Sequence, residues 1–402
     1  MLFAAAAVGT SHLVQSTRAG AAYGLTLGLL IVAVCFLKYP LFRFAADYAA
    51  ATGESLVTGY GRRGRALVWL MFVAAAIEAV AAVAGVSLVT AGMARWLFNL
   101  QISDLATALT ILCATALLVA IGRYRLLESF TGVFVVLFSM LILIATAASL
   151  PVMAEASGPL FAAFPMTTAN LSFATAVAGW MPIGNTAAIM LSAWILARHA
   201  SPGTATVAKA RFDFNVGYLA STVLALCFLI MGATALYNQQ ITLPAGGAAY
   251  AATFVDMFAT TVGDWSRLLV ALAALAVMYS TLLAIVDGFP RMLENFLAEL
   301  GWVNTTPESH RRNYLLLLAI VVLAAAGFLS FFLSSFTAFI DLVTIIGFIA
   351  APVVALANYL VINGSNVPES ARPGPALKLW SHCAVLALLV ASLSFLYFRF
   401  VN

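Results

Sequence analysis

Two short stretches of this chain set polar atoms inside apolar sequence: Gly9, Thr10, Ser11 and His12 within AAAAVGTSHLVQSTRAG, and Gly179, Met181, Pro182 and Gly184 within ATAVAGWMPIGNTAAIMLSAW. Glycine, serine, threonine and histidine are poorer helix residues than the alanines before them. Pro182 removes one backbone hydrogen bond, and its ring crowds the preceding turn. Each stretch therefore frees backbone carbonyls and amides. Beside them stand the His12 imidazole, the Met181 thioether and the Thr10 and Ser11 hydroxyls. Such groups bind a small ion or solute. A metal held by them would be a softer transition metal, because imidazole and thioether suit that class. Mg2+ and Ca2+ want carboxylates, and the two stretches contain none. Enzyme chemistry is not expected: the chain has no HExxH, no glycine-rich phosphate loop, no nucleophile elbow and no clustered carboxylates. No cofactor and no nucleic-acid partner are implied.

Single residues add to this set. Glu78 stands alone in AAAIEAVAAV, where small neighbours permit close helix approach. It reads either as a proton relay or as a neutral carboxyl joining helices. His12 has three roles open to it: a ligand, a proton carrier in the physiological range, or a structural ring, bonded to a helix carbonyl or facing the outer vestibule. Tyr279, Ser280 and Thr281 fall in the middle of an apolar stretch and offer oxygens to an ion. Asp287 and Asp341 lie near the ends of such stretches, where a solvated carboxylate is expected.

The elements that carry these residues follow from composition. Of 402 residues 64% are hydrophobic and 8% charged, and mean hydropathy is +1.05; soluble chains carry about 25% charged residues. In lipid, backbone polar groups must be satisfied internally, which leaves helices or closed barrels. The apolar stretches are roughly 20 residues long without alternation, so they are helices. About eleven spans are expected: 1–19, 21–42, 66–94, 104–121, 127–150, 171–197, 215–237, 268–286, 314–334, 336–362 and 379–398. With the N-terminus in the cytoplasm, the inner segments hold 15 of the 19 Lys and Arg residues, Lys38 among them, leaving Arg18, Arg95, Arg267 and Arg399 elsewhere. That bias sets the orientation. The outer connections 151–170 and 239–265 have room for short surface helices, and the first half of 287–312 keeps helical spacing. Cys35, Cys113, Cys227 and Cys383 lie far apart in apolar stretches and read as small buried hydrophobes. No cleaved leader is read at the N-terminus. Only eight residues precede Gly9, roughly 12 Å of helix, which is compatible with an earlier start.

Spans one and six carry the interruptions and are five spans apart. With an odd number of helices per half, the second half is inverted relative to the first. Paired interruptions at corresponding positions of two such halves point to a transport site, whereas a lone kink would serve packing. The expectation is one membrane domain over 1–402, with five-helix halves at 1–150 and 171–362 and an additional helix at 379–398. Its partners are the bilayer and a small ion or solute, a monomer suffices, and a bacterial inner membrane is the expected location.

These segments resemble the Nramp family of divalent metal transporters, a branch of the LeuT-like fold. The similarity begins at AAAAVGTSHLVQSTRAGAAYG, continues through KYPLFRFAADYAAATGESLVTGY, and includes AAAIEAVAAVAG and GWMPIGN. The resemblance implies a metal-ion symporter working by alternating access. It also implies substrate contacts at Gly9, Thr10, Ser11 and His12, where the family has Asp-Pro-Gly-Asn, and at Ala178, Met181 and Gly184, within the family's Ala-x-x-Met-Pro-His-Asn. His12 and Met181 are the candidate metal ligands, and Glu78 and His12 the candidate proton-coupling residues. The helix-three acid pair of the family appears as Ala75 and Glu78. With the first-helix acid gone, selectivity or coupling is expected to be altered. A carrier of a small neutral or anionic solute is the alternative, because half-helix N-termini suit such groups.

Overall fold

In the computed structural model, residues 9–122, 125–155, 160–199, 207–304 and 306–400 are described. A π-helical turn, Ser11–Ser16, leads into α1 (Thr17–Tyr23). Then follow α2 (Gly28–Thr52), α3 (Leu56–Arg63), α4 (Arg65–Leu97), α5 (Asp104–Ile121) and α6 (Arg125–Glu155). The second half holds α7 (Thr168–Gly179), α8 (Ala187–His199) and α9 (Val207–Gly232), which ends in a π-helical turn, Ala233–Tyr237. Last come α10 (Gly247–Val262), α11 (Ser266–Glu299), α12 (Pro307–Phe332), α13 (Phe336–Ile362) and α14 (Pro375–Phe400).

Among the described residues nine of these helices are long and apolar enough to cross a membrane: α2, α4, α5, α6, α9, α11, α12, α13 and α14. The molecule is an all-α, multi-helix membrane protein. Of the two expected interruptions, the one in the sixth span is seen, and the one in the first falls at the edge of the described residues, with helix from Thr10 onward. The sixth is two short helices, α7 and α8; the first is described from Gly9 onward, with residues 1–8 outside the described set.

Helix starts and stops follow local chemistry. Ser55, Ser103, Thr167, Thr306 and Ser335 each accept the amide three residues on, satisfying a donor the helix cannot. Gly53 ends α2 at φ +68°, a conformation that costs a residue with a β-carbon. Apolar patterning placed the end of this span at residue 42, but the helix continues to Thr52 because its second part is buried against protein rather than lipid. Similarly, α11 runs through Pro290 to Glu299, taking up the helical spacing of the 287–312 segment.

Three expectations change with packing. The helix in the 239–265 connection, α10, is not on the surface: Tyr250 and Phe254 are fully buried, and α10 packs on α4. Cys35 and Cys227 are buried as expected, but Cys113 and Cys383 face outward on α5 and α14. That outer surface is itself apolar, with Leu323 70% and Phe331 87% exposed, as a lipid-facing surface requires. Asp341 and Asp287 are not free solvated acids. Asp341 pairs with Arg18 at 2.6 Å, and Asp287 accepts from Arg291 at 2.8 Å and from the Tyr314 hydroxyl at 2.6 Å. Arg95 pairs with Asp104, and Arg267 with Asp256 and Asp264. Three of the four bases that fall outside the expected basic side are thus each neutralised locally.

The helices that frame the interruptions pack pairwise: α4 on α11, α7 on α13, α2 on α8 and α9, and α1 on α9. The α1–α9 crossing depends on small residues. A β-carbon on Gly20 would stand 2.1 Å from the Leu229 carbonyl oxygen, and one on Gly232 would stand 2.3 Å from that of Thr17. Backbones this close gain dispersion contacts that larger side chains would forbid. Gly232→Val is therefore expected to lose about 1–3 kcal/mol through overpacking, seen as a lower thermal midpoint in detergent. Gly327→Ala, with nothing within 4 Å, serves as the neutral control.

Candidate functional site

The second interruption runs from Trp180 to Thr186 between α7 and α8. Gly179 is required by proximity: its β-carbon would stand 1.9 Å from the Thr344 carbonyl oxygen of α13. Pro182 then denies the helix a donor. Breaking a helix at this depth exposes carbonyls at the end of α7 and amides at the start of α8. Each end meets a buried side chain of opposite charge. Lys38 of α2, fully buried, donates from Nζ to the carbonyls of Ala178 (3.1 Å) and Gly179 (2.5 Å). Glu78 of α4, 2% exposed, accepts the Thr186 amide at Oε1 (3.3 Å). A cation at a helix C-terminus and an anion at an N-terminus both complement the helix dipole. The two side chains are near enough for their charges to interact. Asn185 adds an amide bond to the Gly347 carbonyl at 2.6 Å, tying the segment to α13.

Lys38 corrects the sequence expectation. Its charge groups it with the bases of the inner segments, although it falls within the expected span 21–42; in the structure it lies inside α2 with no solvent contact. The broken end of α7 supplies two carbonyls that a linear pattern of hydropathy does not reveal. The signal available was a lysine interior to an apolar stretch, where ionisable residues are rare and carry a role.

At the first interruption the Gly9 carbonyl accepts the amides of His12 and Leu13, both at 3.0 Å. The π-helical turn leaves the Leu13 carbonyl to the Tyr250 hydroxyl at 2.6 Å. His12 turns away from the gap between the broken helices. Its Nε2 lies 2.9 Å from the Ser221 carbonyl of α9, and a carbonyl only accepts, so Nε2 carries the proton. Nδ1 then accepts from the Ser11 hydroxyl at 3.0 Å. Both ring nitrogens are engaged. Of the three roles open to His12, the geometry matches the ring bonded to a helix carbonyl.

Between the Gly9–Ser11 stretch and the second interruption lies a cavity of about 90 Å³. Gly9, Thr10 and Ser11 line it from one side, Ile183, Gly184 and Thr186 from the other, with Glu78 and Thr281 completing the polar part. Its remaining wall is apolar and follows α8 and α11 through Met190, Trp194, Ile285 and Phe289 toward the C-terminal ends of those helices. Gly184 makes room for the carboxylate, since a β-carbon there would stand 2.4 Å from Glu78 Oε1. Three buried polar atoms of the lining have no hydrogen-bond partner among the described residues: Thr10 Oγ1, Glu78 Oε2 and Trp180 Nε1. Two of them are oxygens able to hold a cation. Beyond the π-helical turn, Arg18 is joined to Asp341 at 2.6 and 3.0 Å, with Gln15 donating to Asp341 and to Thr344.

The expected site residues divide as follows. Gly9, Thr10, Ser11, Gly184, Glu78 and Thr281 come together around the cavity. Ala178 contributes its carbonyl to Lys38. Met181 is fully buried, with the Ser16 hydroxyl 4.0 Å from its sulfur, and lines no part of this cavity. Ser280 bonds the Val277 carbonyl of its own helix, and Tyr279 lines a separate apolar crevice of about 530 Å³ with Thr90, Phe98 and Leu272. Trp180, Thr186, Met190 and Trp194 were not anticipated. Among the described residues, no group of three or more His, Cys, Asp or Glu side chains is arranged to hold a metal.

Comparison with known proteins gives consistent likenesses. The profile of the natural resistance-associated macrophage protein-like family (Nramp) matches residues 1–398. An uncharacterized protein of Pasteurella multocida is 29% identical over 372 residues, covering 91% of this chain and 84% of that one. A mutant of the Eremococcus coleocola manganese transporter superposes with a TM-score of 0.70 at 17% identity, over 99% of this chain and 86% of the other. MhsT in complex with L-phenylalanine does so with 0.65 at 14% identity, over 99% and 97%. At such identities the structural likeness is one of fold.

The Glu78–Thr186 contact is open to direct measurement. Gly184→Val should expel the carboxylate from the α8 amide end, and a charge-assisted hydrogen bond contributes about 1.5–3 kcal/mol. Amide hydrogen exchange at Thr186 and the residues after it should then accelerate by about tenfold or more. Unchanged protection would mean that the carboxylate does not hold this end of the break.

Proposed function

This chain belongs to the Nramp family, and from that premise we propose that it is a secondary transporter carrying a small metal ion by alternating access through the cavity between its broken helices. One observation carries this reading. Glu78 Oε2 and Thr10 Oγ1 are buried in the wall of a single cavity without a partner among the described residues, and buried oxygens in that state favour a cation. The ligands proposed are the Glu78 carboxylate, the hydroxyls of Thr10, Ser11 and Thr281, and the Met190 thioether, with carbonyls of the interrupted segments. A thioether among oxygens weights the choice toward a softer transition metal. The likeness in fold to a manganese transporter agrees with this. Relative to the family pattern, Gly9 and Gly184 lack the side chains expected there. Glu78 approaches the space left at Gly184. His12 and Met181, favoured as ligands on residue type, yield that role to Glu78 and Met190, because the ring nitrogens of His12 are engaged and Met181 lies outside the cavity lining.

The halves proposed to move against one another are 1–150 and 171–362, as an inverted five-plus-five pair, with 379–398 outside the repeat. Pairwise packing supports the repeat: α1, from the first broken span, packs on α9, and α8, from the sixth, packs on α2. These are equivalent pairs in two five-helix halves. The Arg18–Asp341 pair beyond the π-helical turn and the cavity extending along α8 and α11 suit access from one side at a time. Glu78 is the proposed proton acceptor of the cycle.

A second reading has its own observation. Lys38 lies near enough to offset the charge of Glu78, and most of the cavity wall is apolar. A small neutral solute would fit such a site. Uptake into proteoliposomes under imposed pH and Na+ gradients separates the two. Saturable uptake of Mn2+, Fe2+ or Cd2+ is expected, reduced about tenfold or more in Glu78→Gln and retained in Met181→Leu. Absence of metal flux, with binding of a small neutral solute, would replace the first reading by the second.

A further inference from the structure

The carbonyls of Ala178 and Gly179 converge on one point, and a single cation holds both. Two carbonyls at the end of a half-helix, aimed together inside a membrane protein, form the kind of place that coordinates an inorganic monovalent cation. Here the cation is the Lys38 ammonium, delivered on a flexible stem from α2. A buried ammonium is costly unless it is paired. An apolar side chain at this position would leave both carbonyls buried and unsatisfied, which is also costly. Lys38 answers both demands, with Glu78 supplying the opposite charge across the interrupted segment.

We propose that Lys38 is a tethered cation: its ammonium permanently fills a carbonyl ion subsite that would otherwise take up an exchangeable monovalent cation. The broken sixth span therefore keeps its shape without Na+ or K+. Removing the side chain turns the protein into a cation-dependent one. The inference stands on the carbonyl geometry and is independent of which species the cavity carries.

Thermal unfolding of the purified full chain tests it, at constant ionic strength in choline, Na+, K+ or methylammonium chloride. The wild-type midpoint should be the same in all four salts. Lys38→Ala should have a lower midpoint in choline and recover saturably by at least about 3 °C in Na+, K+ or methylammonium. Lys38→Met, whose stem fills the subsite without charge, should be destabilised and stay insensitive to the cation. A Lys38→Ala midpoint indifferent to the cation overturns the proposal, as does a Na+ or K+ response of Lys38→Ala no larger than that of the wild type. Where Lys38→Ala is not recovered folded from choline, purification in each of the other cations decides. Recovery in any of them supports the tethered cation, and failure in all of them overturns it. Metal uptake is not read, so failure here leaves the transport reading intact, and loss of the transport reading leaves this one intact.

Discussion

The two ends of the broken sixth span are each held by a buried charge, and the rest of the site is arranged around that pairing. Lys38 holds the carbonyl end of α7, and Glu78 holds the amide end of α8. Without them the segment Trp180–Thr186 would leave buried backbone groups unsatisfied. Because the charges have opposite sign and interact, neither is an isolated buried ion. The break is thereby a defined structure with a cavity beside it.

Placing those charges requires close helix approach, which small residues allow. Gly179 and Gly347 let α7 and Trp180 press against α13, where a β-carbon at either would meet the Thr344 carbonyl or the Trp180 ring at under 3 Å. Gly184 leaves space for the Glu78 carboxylate, and Gly20 with Gly232 brings α1 against α9. The scaffold helices α4, α11 and α13 are nearly continuous, so the irregular backbone is suspended between regular elements. Buried positioning of this kind fixes a site more closely than a surface loop would.

Polar contacts between distant segments also divide the labour of the first interruption. His12 spends both ring nitrogens on Ser221 and Ser11 and so anchors the π-helical turn to α9, leaving Thr10 and Ser11 to line the cavity. Gln15 and Arg18, one turn further on, bond to Asp341 and Thr344. A single stretch of helix thus serves anchoring, lining and bonding to α13 in succession, because its successive side chains point in different directions around the axis.

Much of this was legible in the chain itself. Apolar stretches of membrane length dictated helices, since lipid offers no partner to a bare backbone, and Pro182 with its flanking glycines located the second break because they weaken a helix wherever it lies. Residue type and the pairing of the interruptions also marked Gly9, Thr10, Ser11 and Gly184 as belonging to one region, and Glu78 as a proton relay or a carboxyl joining helices. It did not decide which donors face inward. His12 and Met181 were favoured by chemistry but are turned to other partners, whereas Met190 and Trp180 line the cavity through the rotation of α8 and the fold of the interrupted segment. Lys38 is the clearest case. Its charge groups it with the inner basic residues, and only the arrival of two carbonyls from α7, 140 and 141 positions along the chain, makes its burial favourable. Backbone satisfaction within a helix is local and therefore readable in sequence; the satisfaction of a broken helix is supplied by distant residues, and tertiary packing chooses them.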